Sequence, residues 1–250
     1  MSRTRFKLSL LAGASIGAAT LITATPSIAQ TELVDDESVS DVVTVTATRR
    51  EEGLQEVPVA VSVIGQDTIE TLKPVNLQDF DGLAPNVHIG QAGATPNGSA
   101  IFIRGLGYQD VEKTQNPPVG VMVDGVVLGT NTGQIVDAFD VDQIEISRGP
   151  QGIFFGKNTT GGVINVQRSK PTREFGGRFS ASVGSDDLYI LKGIVNVPLG
   201  EKGGLKVGGT YRDFAGYLTN VFTGDDTGGE EYWAVTASLD YDVTEWFNAR

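Results

Sequence analysis

The chain has 250 residues, 40% of them hydrophobic and 20% charged, a balance that argues against both wholesale disorder and a bundle of membrane-spanning helices. Its net charge of −12 argues against a nucleic-acid footprint, and the absence of cysteine excludes disulfide staples and thiolate metal sites. The 32 glycines fall in loops and between short apolar runs, the distribution of a turn-rich β protein.

Residues 1–29 read as a secretory signal. Arg3, Arg5 and Lys7 precede an apolar stretch from Leu8 to about Ala24, and Ser27-Ile28-Ala29 after Pro26 is a small-x-small cleavage site, with Gln30 as the mature start. The stretch is short against the roughly 20 apolar residues of a spanning helix and is diluted by Gly, Ser and Thr, so cleavage is expected rather than anchoring. The mature chain opens on an acidic tail carrying Glu32, Asp35, Asp36 and Glu37, which has little to bury and is expected to be mobile. Val42-Val43-Thr44-Val45-Thr46-Ala47-Thr48 follows, a β-branched run with no turn linking it to a hairpin partner. On a flexible tether it is suited to adding itself to another protein's sheet edge; the alternative is a first strand of the local domain.

From Val57 to about Val166 the pattern is that of a compact mixed domain. Val57 to Ile64 reads as a strand with Pro58 at its start, Asp67 as the cap of a short helix through Leu72, and Asn76 as the cap of a second helix carrying Leu77, Phe80 and Leu83 until Pro85. Strands are expected at Ala100 to Arg104, at Gly120 to Val123 turning through Asp124-Gly125 into Val126 to Leu128, at Gln143 to Ser147 and at Val163 to Gln167. His88, the single histidine, cannot build a metal cluster alone and reads as a polar side chain near a strand end.

After Pro171 the strands lengthen and alternate. Phe175, Gly177, Phe179, Ala181 and Val183 share one face and Arg178, Ser180 and Ser182 the other; from Tyr232 to Val243 the odd positions are Trp233, Val235, Ala237, Leu239, Tyr241 and Val243. Runs from Leu188 to Leu199 and from Leu205 to Asp213 alternate less regularly. Each is near the roughly 9–11 residues of a tilted membrane strand, and apolar-out, polar-in alternation with aromatics near the ends marks an outer-membrane barrel, although a soluble antiparallel sheet alternates too. With the first strand running outward, the short turn Gly200 to Gly204 falls in the periplasm and the longer loop Thr219 to Glu231 outside, as barrels require.

Catalytic chemistry finds no foothold. Gly105-Leu106-Gly107 lacks the third glycine of a dinucleotide fingerprint, and Gly152 to Asn158 has three residues between its glycines where a phosphate loop has four and ends without a magnesium hydroxyl. His88 has no credible nucleophile partner, and the pairs Asp186-Asp187 and Asp225-Asp226 sit in hydrophilic loops. No catalytic residue, metal site or cofactor is expected.

One stretch is specific. Ile144-Glu145-Ile146-Ser147-Arg148-Gly149-Pro150 through Gly156, followed by Gly161-Gly162-Val163-Ile164-Asn165, resembles the signature of TonB-dependent receptor plugs; Ile103-Arg104-Gly105 and Val123-Asp124-Gly125-Val126 match two further plug motifs. Asp41, Val42, Val43, Thr44, Val45, Thr46 and Ala47 resemble the box through which such receptors engage TonB. The resemblance implies a mixed α+β plug domain followed by antiparallel strands of a transmembrane β-barrel, partitioned as a 1–29 signal, a 30–50 flexible segment with its box at 41–47, a plug over 51–168 and barrel strands over 172–250. It implies an outer-membrane receptor, not an enzyme, importing a ferric siderophore or similar nutrient, with TonB and membrane lipid as partners and no nucleic acid; the alternatives are a binding-only receptor or a nonfunctional remnant. In the family the arginines matching Arg104 and Arg148 pair with glutamates on the inner barrel wall; local pairing, for instance with Glu145, is the alternative. The loops 91–97, 108–116 and 129–133 are polar, flanked by strands and expected to face outward, and Gln91, Tyr108 and Gln115 are the candidate ligand contacts in them. Plugged barrels have about 22 strands, whereas this sequence holds four runs and the start of a fifth at Trp246-Phe247, so a piece of a longer transporter or a shortened product is expected.

Overall fold

The computed structural model describes residues 43–93, 95, 98–110, 114–224, 226–244 and 246–249. The signal, the acidic tail, Asp41 and Val42, and Ala94, Pro96, Asn97 and 111–113 of the candidate ligand loops lie outside the described residues.

The chain begins with the short strands β1 (Thr44–Val45) and β2 (Glu52–Gly53), then β3 (Ala60–Ile64) and helix α1 (Gln66–Leu72). A 3-10 turn at Leu77–Phe80 leads to β4 (Val87–Gln91), β5 (Ser99–Ile103), β6 (Leu106–Gly107), β7 (Val119–Val123) and β8 (Val126–Leu128). Strand β9 (Val141–Arg148), the single-turn helix α2 (Gly152–Phe155) and β10 (Gly162–Arg168) complete the first half. Strands β11 (Gly176–Gly184), β12 (Leu188–Pro198) and β13 (Gly203–Phe214) follow, then β14 (Leu218–Thr219) paired with β15 (Asp226–Thr227), β16 (Glu230–Thr244) and β17 (Phe247–Ala249).

The plug is built on a five-stranded sheet in the order β3-β9-β10-β7-β8, with β10 parallel to β7 and antiparallel to β9. The central strands are covered on both faces: β7 is apolar throughout, while β9 and β10 turn Ile144, Ile146, Ile164 and Val166 to one face and the buried polar Glu145, Ser147 and Asn165 to the other. Ile144, Ile146, Ile164, Val166 and Val121 meet Ile64, Ile69, Leu77 and Phe80 on one side, where β4-β5-β6 forms a second, three-stranded sheet. On the other side Met122, Val163 and Phe155 form a small cluster, and Val45, Ala47 and Val57 pack against Leu54, Val59, Val61 and Val63. Gly162 holds φ +152°, and a Cβ there would stand 2.4 Å from the Ser147 carbonyl and 2.8 Å from Ile103 Cδ1, so the start of β10 admits only glycine.

Two local expectations are corrected. Helix α1 begins at Gln66 with Gly65 at its cap and no side-chain cap bond, so Asp67 lies in the first turn rather than capping it. The helix expected from Asn76 to Leu83 is a single 3-10 turn: Asn76 and Asp79 do form a capping box, but the chain turns extended at Asp81, whose carboxylate bonds the Ile89 amide at 2.8 Å and lies 3.1 Å from His88 Nδ1. His88 stands within β4, a strand the sequence pattern does not announce.

The second half is an antiparallel meander, β11-β12-β13-β16-β17, in continuous register from β11 to β16 and with a shift between Asp242 and Thr244 where β17 pairs. Its two faces differ as the alternation requires. Phe179, Val183, Leu191, Val195, Val207, Trp233, Val235 and Leu239 are exposed on one face, Phe179 at 76% and Trp233 at 73%. Ile194, Lys206 and Thr210 are buried on the other, against the plug. At Gly208 the sheet lies close against the plug: a Cβ there would lie 2.9 Å from the Phe139 ring.

Candidate functional site

The described part of the segment resembling a TonB box is docked on the plug through Thr44 to Ala47. Thr44 and Val45 pair with Gly53 and Glu52, and Val45 and Ala47 are fully buried, so the local-strand alternative describes this conformation. The seat is polar at its centre. Glu145, 1% exposed, accepts from the Thr46 amide at 2.8 Å, from the Thr46 hydroxyl at 3.1 and 3.2 Å, and from the Gln143 and Gln167 amides. Thr46 Oγ1 in turn accepts from Asn165 at 3.1 Å and Gln167 at 2.9 Å, and Gln143 reaches the Thr44 carbonyl at 3.0 Å. Residues 143 and 145 of β9, with 165 and 167 of β10, share one sheet face because side chains repeat every second position. Arg49, just past the segment, stacks over the Phe155 ring at 5.2 Å.

The same pleat removes the local partner weighed for Arg148. Glu145 and Arg148 are three residues apart on one strand and so point to opposite faces; Arg148 Nη1 donates to the Pro85 carbonyl at 3.3 Å while its buried Nε has no hydrogen-bond partner. Arg104 is exposed at φ +52° beyond β5, its guanidinium beside Gly149. Neither arginine forms an ion pair among the described residues.

A contact that the sequence reading did not single out fixes the plug to the long sheet. Lys206 of β13 and Asp140, just before β9, form an ion pair with side chains only 1% and 2% exposed; Lys206 also donates to the Ser169 carbonyl and hydroxyl, and the Ser169 hydroxyl donates to Asp140. Farther along the same sheet, the Tyr232 hydroxyl donates to Asp137 at 2.5 Å, and Lys192 lies 3.4 Å from the Pro74 carbonyl. The signal available in the sequence was a lysine at an inward-facing position of an alternating strand; its partner, far away in the chain, carried none.

The candidate ligand loops gather at the opposite end of the plug sheet from the docked segment. Two of them meet: Gly98 bridges Thr132, the Ser99 amide donates to Asn131, and the Asn131 side chain returns to the Ser99 carbonyl. Gln91, exposed, donates to Thr95 of its own loop. The third loop, which carries Tyr108 and the exposed Gln115, is tied to the loop before β10 by Asn158 and Asn116 at 3.5 Å. Among the described residues no cluster of three metal-ligating side chains occurs.

Comparison with known proteins follows the same division. Residues 53–163 match the family model described as TonB-dependent Receptor Plug Domain. A vitamin B12 transporter of Vibrio vulnificus is 28% identical over 182 residues, 71% of this chain and 29% of that protein. A ferrioxamine B receptor of Salmonella typhimurium is 26% identical over 242 residues, 96% of this chain and 32% of that one. Among solved structures, the ferric yersiniabactin uptake receptor of Yersinia pestis superposes with a TM-score of 0.65 at 28% identity, covering 73% of this chain and 29% of that chain. The ferripyoverdine receptor of Pseudomonas aeruginosa, with a TM-score of 0.66 at 21% identity, shares the fold. The chain thus spans about a third or less of the length of these relatives.

Proposed function

We propose a function from the premise that this chain belongs to the TonB-dependent receptor family: it is an outer-membrane receptor that imports a scarce nutrient, a ferric siderophore by preference, into the periplasm on energy delivered through TonB. One observation carries the reading. The plug is fastened by polar contacts to the inner face of a sheet whose outer face exposes Phe179, Val183, Trp233 and Val235, an apolar surface that suits lipid and not water. Import moves its ligand without making or breaking a covalent bond, so no catalytic group is required. The siderophore preference draws on relatives named for ferrioxamine B and ferric yersiniabactin, beside one named for vitamin B12.

Within this reading Asp41 to Ala47 engage TonB, Arg104 and Arg148 pair with carboxylates on further barrel strands, and Gln91, Tyr108 and Gln115 contact the ligand. Strand addition relies on backbone hydrogen bonds, so a proline, which removes a donor, is the damaging substitution. In the complete transporter, Val45→Pro is expected to abolish uptake of the ferric siderophore while ligand binding to the cell surface persists. Unchanged uptake rejects the coupling role. Binding without uptake in the unsubstituted protein identifies a binding-only receptor.

A further inference from the structure

We propose that Glu145 is the positioning residue that holds the coupling segment on the plug, and that it fastens the segment to the strands anchored on the barrel wall. The proposal rests on residues 41–47 being the coupling segment. Glu145 is a buried acidic side chain that forms no ion pair among the described residues; its partners are neutral donors, and Thr46 supplies both a backbone amide and a hydroxyl. A buried carboxylate is costly unless hydrogen-bonded, so withdrawing Thr46 leaves Glu145 short of donors and the docked segment is retained.

The address of these bonds matters. Strand β3, the edge strand of the five-stranded sheet on the side of the segment, offers it the apolar side chains Val61 and Val63. The side-chain network around Thr46 belongs instead to β9 and β10, through Glu145, Asn165 and Gln167. Those two strands are the ones clamped to the wall: Asp140 lies immediately before β9 and Ser169 immediately after β10, and both bond Lys206. Tension on the segment therefore arrives on the anchored pair of strands and not first on the edge strand.

The chain has no cysteine, so a single introduced thiol reports cleanly. In outer membranes carrying the complete transporter, Val45→Cys is buried and is expected to react slowly with a soluble maleimide, while Val43→Cys, 43% exposed in the parent, reacts fast. Glu145→Leu, which removes both acceptors, is expected to accelerate labelling at position 45 roughly tenfold to a hundredfold; Glu145→Gln, which keeps one, gives an intermediate rate. Val163→Cys, in the core of β10, should stay protected in both backgrounds. Labelling at 45 that remains slow in Glu145→Leu overturns the proposal, and so does equal acceleration at 163, which would mean general loosening. The periplasmic domain of TonB, added in excess, should slow labelling at 45 in Glu145→Leu. If it does not, the coupling assignment fails while the holding role of Glu145 stands.

Discussion

The plug and the wall each contain a five-stranded sheet, and the two sheets obey opposite rules. Strand β7, Val-Gly-Val-Met-Val, is apolar at every position and buried at all but its last; β16 alternates between half-buried even and exposed odd positions from Glu231 to Asp240. The first sheet has protein on both faces. The second has protein on one face only, and the residues there are largely polar. The consequence is that the two halves are joined mainly by hydrogen bonds and charge: Lys206 with Asp140, Tyr232 with Asp137 and Lys192 with Pro74, with Phe139 against Gly208 as the close apolar contact. A polar joint between two well-formed elements holds strongly where it is dry and weakly where it is wet, and substitutions can separate the two.

The largest effect is expected at the dry contact. Lys206→Met leaves the Asp140 carboxylate buried without its cation and should destabilise plug seating by about 3–5 kcal/mol, read as earlier protease cleavage of the plug in urea. Replacing both partners, Lys206→Met with Asp140→Leu, should recover much of that loss, because no charge is then stranded. Equal losses in the single and double variants would show that the pair is not the joint. Inside the plug, Ile164→Ala removes a fully buried side chain from the central strand and should cost about 2–5 kcal/mol without altering the seating contacts.

The wall is tested by face. Val207→Arg puts a charge on the outer face and should cost about 2–4 kcal/mol if that position lies near the bilayer midplane, seen as reduced insertion and lower heat resistance of the barrel band on a gel. Ser182→Arg, on the inner face of β11, should be nearly neutral. Reversal of that order would mean that the exposed face meets water.

How much of this could be read from the chain follows from where the information lies. Alternation is a local, period-two property, so the facing of Phe179, Trp233 and Val235 was legible, as was the Asp124-Gly125 hairpin, whose turn chemistry sits in two adjacent residues. Strand β4 was not: Val-His-Ile-Gly-Gln has too few apolar positions to declare a period, and it exists through pairing with β5 and the Asp81 bond to Ile89. The early end of the turn at Leu77–Phe80 has the same origin, since Asp81 is committed to β4 instead of extending a helix. Thr46 was placed on a strand-prone run, but its partners Glu145, Asn165 and Gln167 are about a hundred residues away, and only the fold brings them together. Parity alone, however, separates Glu145 from Arg148, so that part of the site was within reach of the sequence.

The smallest effect is expected at the wet end of the same joint. Arg178 of β11 and Glu70 of α1 face each other at 3.2 Å, a geometry as good as many buried pairs, but their side chains are 57% and 60% exposed. Water and salt screen both charges, and ordering two long side chains costs conformational entropy close to what the attraction returns. Glu70 is also committed elsewhere, accepting from Gln66 at 3.0 Å, so Arg178 does not depend on it to stay solvated, nor Glu70 on Arg178. Glu70→Ala, Arg178→Ala and the double variant should therefore form a cycle with a coupling energy of about 0.2–1 kcal/mol that falls further in high salt. A coupling comparable to that of Lys206 and Asp140 would mean that water is excluded around Arg178 and Glu70, and the division of the joint into a dry anchor and a wet margin would have to be redrawn.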